Sequence, residues 1–237
     1  MGPVLVESDR QKPFIEHLEE LRRRLLRAFL WLALGTAVSW RFADRLLELI
    51  VRPVGQVVYL SPVEPFLVHV KAAFLGGIVL VFPLLFLEVW GFLKPALRPA
   101  QRWPILLVLP AGVALFLAGI AFGWNLLLPS ALKILGSFGA AYMVPMITVE
   151  HYLNFAGWLV VGCGLIFEVP LIILGLARVG WVQPQALVRQ WRLAVVGILI
   201  VAAALTPTPD IFTQLLLAAP LAALYLLSVG LSFLVQR

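Results

Sequence analysis

The chain is a succession of long, unbroken apolar runs separated by short polar or charged stretches. Six runs stand out, at residues 25–41, 68–93, 105–128, 153–177, 193–205 and 212–234. A strand of a membrane barrel alternates apolar and polar residues. These runs do not alternate, so they predict helices. The run at 193–205 is too short to cross about 30 Å of hydrocarbon at about 1.5 Å per residue. It therefore either borrows flanking residues or sits where the bilayer is thinned. Between the first two runs, residues 44–51 form an amphipathic stretch ended by Pro53. The loop at 129–152 predicts a short helix followed by an irregular segment containing Pro145.

Composition moves this pattern into a membrane. Hydrophobic residues make up 62% of the chain and charged residues 13%, and the mean hydropathy is +1.01. A soluble domain needs more polar surface than this. In a bilayer every backbone polar group must find its partner within the protein, which leaves helices once barrels are excluded. The fold expected is all-α: a polytopic membrane protein with six spans in a curved bundle. Residues 1–237 form one domain, with 1–24 as an N-terminal amphipathic segment. No internal repeat and no linker divide it. The polar opening, residues 1–12, and the lack of a small-residue cleavage site argue against a removable signal peptide.

Net charge is +6. In a soluble protein that excess points to nucleic acid, but here the charges sit at helix ends and no nucleic-acid partner is expected. Of the 18 Lys and Arg residues, only Arg41, Arg45, Arg52, Lys71 and Lys133 fall on one side of the predicted bundle. The other thirteen fall on the opposite side. The positive-inside rule makes that side cytoplasmic and puts both termini there. The lone cysteine, Cys163, sits between glycines in an apolar run and reads as a small buried hydrophobe.

Residues 13–27, Pro-Phe-Ile-Glu-His-Leu-Glu-Glu-Leu-Arg-Arg-Arg-Leu-Leu-Arg, carry the richest local pattern. Phe14, Leu18, Leu21 and Leu25 recur at helical spacing and form one apolar stripe. Pro13 suits a first helical turn. Acids precede arginines, which complements the helix dipole and allows Glu19–Arg23 and Glu20–Arg24 pairs. By periodicity alone this is an interfacial helix with self-paired charges.

Its motif says more. His17-Leu18-Glu19-Glu20-Leu21-Arg22-Arg23-Arg24-Leu25 resembles the signature that opens TatC proteins, the signal-peptide receptors of the twin-arginine protein translocase. Further matches follow in order. Val89-Trp90-Gly91-Phe92-Leu93-Lys94-Pro95-Ala96-Leu97 resembles the end of that family's second span. Phe167-Glu168-Val169-Pro170 resembles its fourth, and Leu205-Thr206-Pro207-Thr208-Pro209-Asp210 its turn between spans five and six. The resemblance covers essentially the whole chain.

The resemblance implies a receptor and scaffold rather than an enzyme. It would bind the paired arginines of signal peptides on folded cargo at the cytoplasmic face of a prokaryotic cytoplasmic (inner) membrane. It would recruit single-span partners similar to TatA and TatB, form homo-oligomers within a receptor complex, and depend on the proton gradient. A guanidinium keeps its charge and presents a planar fork, so a carboxylate is its natural partner. Glu20 matches the motif glutamate. His17, Leu21 and Arg22 match neighbouring motif positions, and Phe92 matches an aromatic position of the binding surface. Where the family carries a second acid after Pro-Ala-Leu, this chain has Gln101, which accepts a hydrogen bond but neutralises nothing. Glu19 or Glu16 then substitutes, or binding is weaker. Glu168 marks an intramembrane polar site, costly at that depth. Glu88 reads as a snorkelling residue near the interface. Thr206, Pro207, Asp210 and Gln214 mark a corner that contacts partner subunits. Pro53 and Lys71 match positions with structural roles.

Two other function classes compete. A proton-coupled secondary transporter would show more charges at the midplane and often an internal repeat. A membrane enzyme would gather a nucleophile and base, or metal ligands, at one depth. His17, His69 and His151 instead lie in separate loops, and no His-Glu-x-x-His or Gly-x-Ser-x-Gly motif occurs. No phosphate-binding loop is present, and no cofactor is expected.

Overall fold

The computed structural model describes residues 8–93, 105–139, 145–179, 182–206 and 211–235. These form ten α-helices and one π-helical turn: α1 (Ser8–Trp40), α2 (Ala43–Val51), α3 (Glu64–Leu93), α4 (Ile105–Phe122), the π turn (Gly123–Leu127), α5 (Leu128–Ser137), α6 (Val149–Ile166), α7 (Val169–Val179), α8 (Pro184–Arg189), α9 (Trp191–Leu205) and α10 (Ile211–Val235). A single parallel bridge, Val58 to Thr148, is the only β-pairing among the described residues.

The first amphipathic segment and the first apolar run are one helix. The sequence pattern divides them at residue 25 and starts the helix at Pro13, yet α1 is already formed at Ser8. Nothing between Phe14 and Trp40 breaks a helix except the tolerated Gly35. The change from charged to apolar residues alters the surroundings, not the backbone. α2 agrees with the predicted amphipathic stretch to within one residue.

Two other runs differ from expectation. The third does not end at residue 128: α4 passes through the π turn directly into α5. Pro129 lies in the first turn of α5, where its missing N–H costs little. The wide turn before it is stabilised by the Asn125 side chain, whose Nδ2 donates to the Ala121 carbonyl at 2.8 Å. The fourth run is not one helix. It stops at Ile166, turns at Phe167–Glu168 and restarts as α7. Pro170 cannot donate to the carbonyl one turn back and its ring crowds that turn, so α6 ends and Pro170 opens a new helix.

Among the described residues, four helical stretches are long and apolar enough to cross a membrane: Glu64–Phe92, Leu107–Ser137, Val149–Ala177 and Ile211–Phe233. α9 gains two flanking residues over the predicted run. Its 15 residues still reach only about 22 Å at about 1.5 Å per residue.

α1 runs antiparallel to α3, α4 packs on α6, and α10 packs on both α7 and α9. Small residues set the close crossings. A Cβ on Gly77 would stand 2.7 Å from the Thr36 amide nitrogen of α1, and one on Gly119 would stand 2.6 Å from the Cys163 carbonyl oxygen of α6. Phe82 of α3 stacks on Phe116 of α4 with ring centroids 3.6 Å apart. The core gathers Leu127, Tyr152, Leu159, Leu205 and Leu217 around the buried Cys163, which behaves as a small hydrophobe.

Candidate functional site

The antiparallel register of α1 and α3 brings residues near 20–27 beside residues 88–92. Glu20 and Arg24 are one helical turn apart, so their side chains share a face of α1. Arg24 Nη2 donates to Glu20 Oε1 at 2.6 Å, and Arg24 Nε donates to the same oxygen at 3.0 Å. The other amino group of Arg24, Nη1, stands 3.5 Å from Glu88 Oε2 on α3. Arg27 Nη2 stands 3.5 Å from that same Glu88 oxygen. Two carboxylates and two guanidiniums therefore make an electrically balanced cluster across the two helices.

The cluster is half-buried. Side-chain exposure is 31% for Glu20, 20% for Arg24 and 13% for Glu88. Water is thinned there, so a carboxylate–guanidinium contact is stronger than on an open surface. Gly91 makes room for it. A Cβ at that position would overlap Arg24 Nη1, so the guanidinium lies over bare α3 backbone. The need for glycine here is one of space, not of backbone dihedral.

The structure sorts the sequence-predicted residues. Glu20 lies in the cluster. Leu21 is 43% exposed, and Leu18 and Leu25 are exposed with it. Among the described residues, nothing covers these three leucines of the apolar stripe. Arg22 is exposed and pairs with no acid among the described residues. The predicted Glu20–Arg24 pair forms. The Glu19–Arg23 pair does not, and both side chains are exposed. Phe92 is half-buried at the end of α3. The His17 backbone belongs to α1, while the side chains of His17 and Glu16, like the whole of Gln101, lie outside the described residues.

Glu88 is the residue that sequence reasoning undervalued. It contacts the α1 arginines rather than merely reaching toward the interface. A signal was present. Glu88 precedes Gly91 and Phe92 by three and four residues, which places all three on one face of α3.

Away from this cluster, Glu168 sits at the break between α6 and α7 and is 7% exposed. Neither of its carboxyl oxygens makes a hydrogen bond among the described residues. A cleft of about 610 Å³ opens between α1, α2, α3, α4, the π turn and α6, with Ser39, Trp124 and Asn125 in its wall, but Glu168 is not among its lining residues. At the far corner, Thr206 Oγ1 donates to the Ala202 carbonyl at 2.8 Å. Gln214 Nε2 donates to the Leu199 carbonyl at 3.0 Å and ties α10 to α9. Pro207 and Asp210 lie outside the described residues. No cluster of three His, Cys, Asp or Glu side chains suited to a metal occurs among the described residues.

Comparison with known proteins identifies the family. The family model described as Sec-independent protein translocase protein (TatC) matches residues 16–220. A Sec-independent protein translocase protein TatC from Koribacter versatilis is 35% identical over 233 residues, covering 94% of this chain and 86% of the relative. The TatC of Carboxydothermus hydrogenoformans is 34% identical, covering 94% of this chain and 93% of the relative. A crystal structure of the twin-arginine translocase receptor TatC superposes with a TM-score of 0.79 at 29% identity, covering 93% of this chain and all of that one. With a family model matching most of the chain, relatives above 30% identity over nearly its whole length and a closely superposing structure, the chain belongs to the TatC family of Sec-independent protein translocase proteins.

Proposed function

We propose that this chain receives twin-arginine signal peptides at the end of the bundle where α1 begins and α3 ends, with Glu20 as the first carboxylate to meet a peptide guanidinium. One observation carries the reading. Glu20 already accepts the edge of a guanidinium, from Arg24, through two hydrogen bonds to a single oxygen. A site that binds an internal arginine in this way has the charge, donor-acceptor match and partial burial that an external arginine requires. Leu21 and the exposed leucines beside it offer an apolar rail for the hydrophobic part of a signal peptide. Arg22 and His17 orient the helix end, and Phe92 borders the carboxylates.

On this reading the α1-start face is cytoplasmic, both termini lie there, and six helices span the inner membrane. Gln101 accepts a hydrogen bond from the second peptide arginine. The corner held by Thr206 and Gln214, with Pro207 and Asp210 between them, receives the transmembrane helices of single-span subunits similar to TatA and TatB. The outward apolar surface of α9 and α10, including Ile200, Phe212 and Leu215, supports that docking. Further copies of the chain complete a receptor complex that exports folded cargo at the expense of the proton gradient. Glu168 supplies a polar point inside the bundle for that assembly.

Site-specific photocrosslinking of a twin-arginine peptide in native membranes tests the site. Crosslinks should cluster near Glu20 and Phe92, and should vanish with Glu20→Ala or with a peptide carrying two lysines. Crosslinking that persists in both controls would place the receptor site elsewhere.

A further inference from the structure

Glu88 and Arg24 are linked in a way the receptor reading does not use. We propose that Arg24 is a built-in competitor for the Glu20 carboxylate, and that Glu88 is the positioning residue that takes Arg24 over when a peptide guanidinium arrives. This rests on Glu20 being the peptide's acceptor.

The geometry carries the argument in three steps. First, Arg24 spends two donors on one Glu20 oxygen, at 2.6 and 3.0 Å. An incoming guanidinium that forks across both carboxyl oxygens needs Oε1 as well as Oε2, so half of the resting site is occupied by the chain's own arginine. Second, evicting Arg24 into half-buried surroundings without a partner would be costly, because an unpaired charge there loses both water and its counterion. Third, a partner already waits. Glu88 Oε2 is 3.5 Å from Arg24 Nη1, beyond good hydrogen-bond length. A small rotation of the guanidinium closes that gap.

Two neighbours make the exchange possible. Gly91 leaves the space over α3 through which the guanidinium moves, since any side chain there would overlap Arg24 Nη1. Arg27, also 3.5 Å from Glu88, balances that carboxylate at rest and is 49% exposed, so it yields its place to solvent easily. The charge count is unchanged throughout. At rest two acids face two arginines, and with ligand bound Glu20 faces the peptide, Glu88 faces Arg24, and Arg27 turns to water.

The arrangement also gives selectivity. To displace a two-donor fork, a ligand must bring a comparable fork. A lysine ammonium is a compact point charge and matches Arg24 poorly as a replacement. The internal competitor therefore weakens all ligands but weakens lysine ligands most, which is specificity by exclusion.

Equilibrium binding of a fluorescent twin-arginine peptide to the full-length protein in nanodiscs, beside the twin-lysine version, tests this. Arg24→Gln should tighten the arginine peptide by roughly 5- to 10-fold and narrow the gap to the lysine peptide, a coupling of ordinary size. Glu88→Gln should weaken the arginine peptide by roughly 5-fold when Arg24 is present. In the Arg24→Gln background Glu88→Gln should change affinity less than about 2-fold, because there is nothing left to hand over. Equal losses from Glu88→Gln in both backgrounds would make Glu88 a direct ligand contact and overturn the proposal. So would weaker binding by Arg24→Gln with an unchanged melting temperature. If Arg24→Gln does not fold, Arg24→Lys replaces it, with a smaller tightening expected; affinity equal to or below wild type would again overturn the proposal. Glu20→Gln separates the two levels. Unchanged binding in that variant defeats the receptor site itself. Loss of binding there, with no gain in Arg24→Gln, defeats only the internal competitor.

Discussion

Lys71 Nζ lies 2.5 Å from Glu150 Oε1, tying the early turns of α3 to the first turn of α6. Glu64 reinforces the same junction. Its Oε1 accepts from the Glu150 amide at 3.2 Å and its Oε2 accepts from the Leu60 amide at 2.8 Å. Beside them Val58 donates to the Ile147 carbonyl and accepts from the Val149 amide, both at 2.9 Å. This end of the bundle, opposite the arginine cluster, is a clamp that fixes the spacing of α3 and α6. Lys71 is part of that clamp through its contact with Glu150.

The clamp's members should not contribute equally. Lys71 and Glu150 are each about one-third exposed, so their pair is screened, and Lys71→Met should cost only about 0.5–1 kcal/mol. Glu64→Ala should cost distinctly more, because it leaves the Leu60 and Glu150 amides without their acceptor. Thermal unfolding in detergent ranks the two. Equal melting temperatures for both variants would show that Glu64 is not the keystone of this junction.

Sequence reading reached the class of fold because its cause is local. Long apolar runs demand helices in a bilayer, and α2 was legible to within one residue because amphipathic period and Pro53 coincide. What was not legible depends on three-dimensional register. The π turn at Gly123–Leu127 has no sequence mark beyond Pro129 just after it. Pro170 lies within the fourth run, but nothing in the run shows that the helix stops at Ile166, four residues earlier. Glu20 was legible because a motif carries it. Glu88, distant in the chain, joins Glu20 only once α1 lies antiparallel on α3, and no pattern within either helix gives that register. Gly91 is similar: its neighbour Arg24 comes from the other helix.

Glycines at the crossings should respond to alanine according to what the new methyl meets. At Gly119 it meets the backbone of α6, with Cys163 O at 2.6 Å and Gly164 Cα at 2.7 Å. Two helices must part to admit it, and Gly119→Ala should cost about 1–3 kcal/mol. At Gly77 the obstacle is again backbone, that of Thr36, and a similar loss is expected. At Gly230 nothing lies within 4 Å, and removing a helical glycine there should stabilise by about 0.5–1 kcal/mol. Melting temperatures of the three single variants check the order. A neutral Gly119→Ala would show that α4 and α6 can separate at no cost.

Glu168 offers the sharpest contrast between stability and use. Its carboxyl is buried and makes no hydrogen bond among the described residues, so the fold bears a desolvated polar group for which it receives no contact in return. Leucine has similar volume and no polar atoms. Glu168→Leu should therefore raise stability by about 1–3 kcal/mol, the usual penalty of an unsatisfied buried group. Glu168→Ala should lower it, because the lost side chain leaves a void beside Phe167 and Pro170. If the carboxyl serves export, Glu168→Leu should be both more stable and less active in exporting a folded twin-arginine cargo from cells. Polar groups retained against stability are expected at working sites. A Glu168→Leu protein that melts lower than wild type would mean that the carboxyl has a partner contributing to the fold, and its depth in the bundle would then be a matter of structure alone.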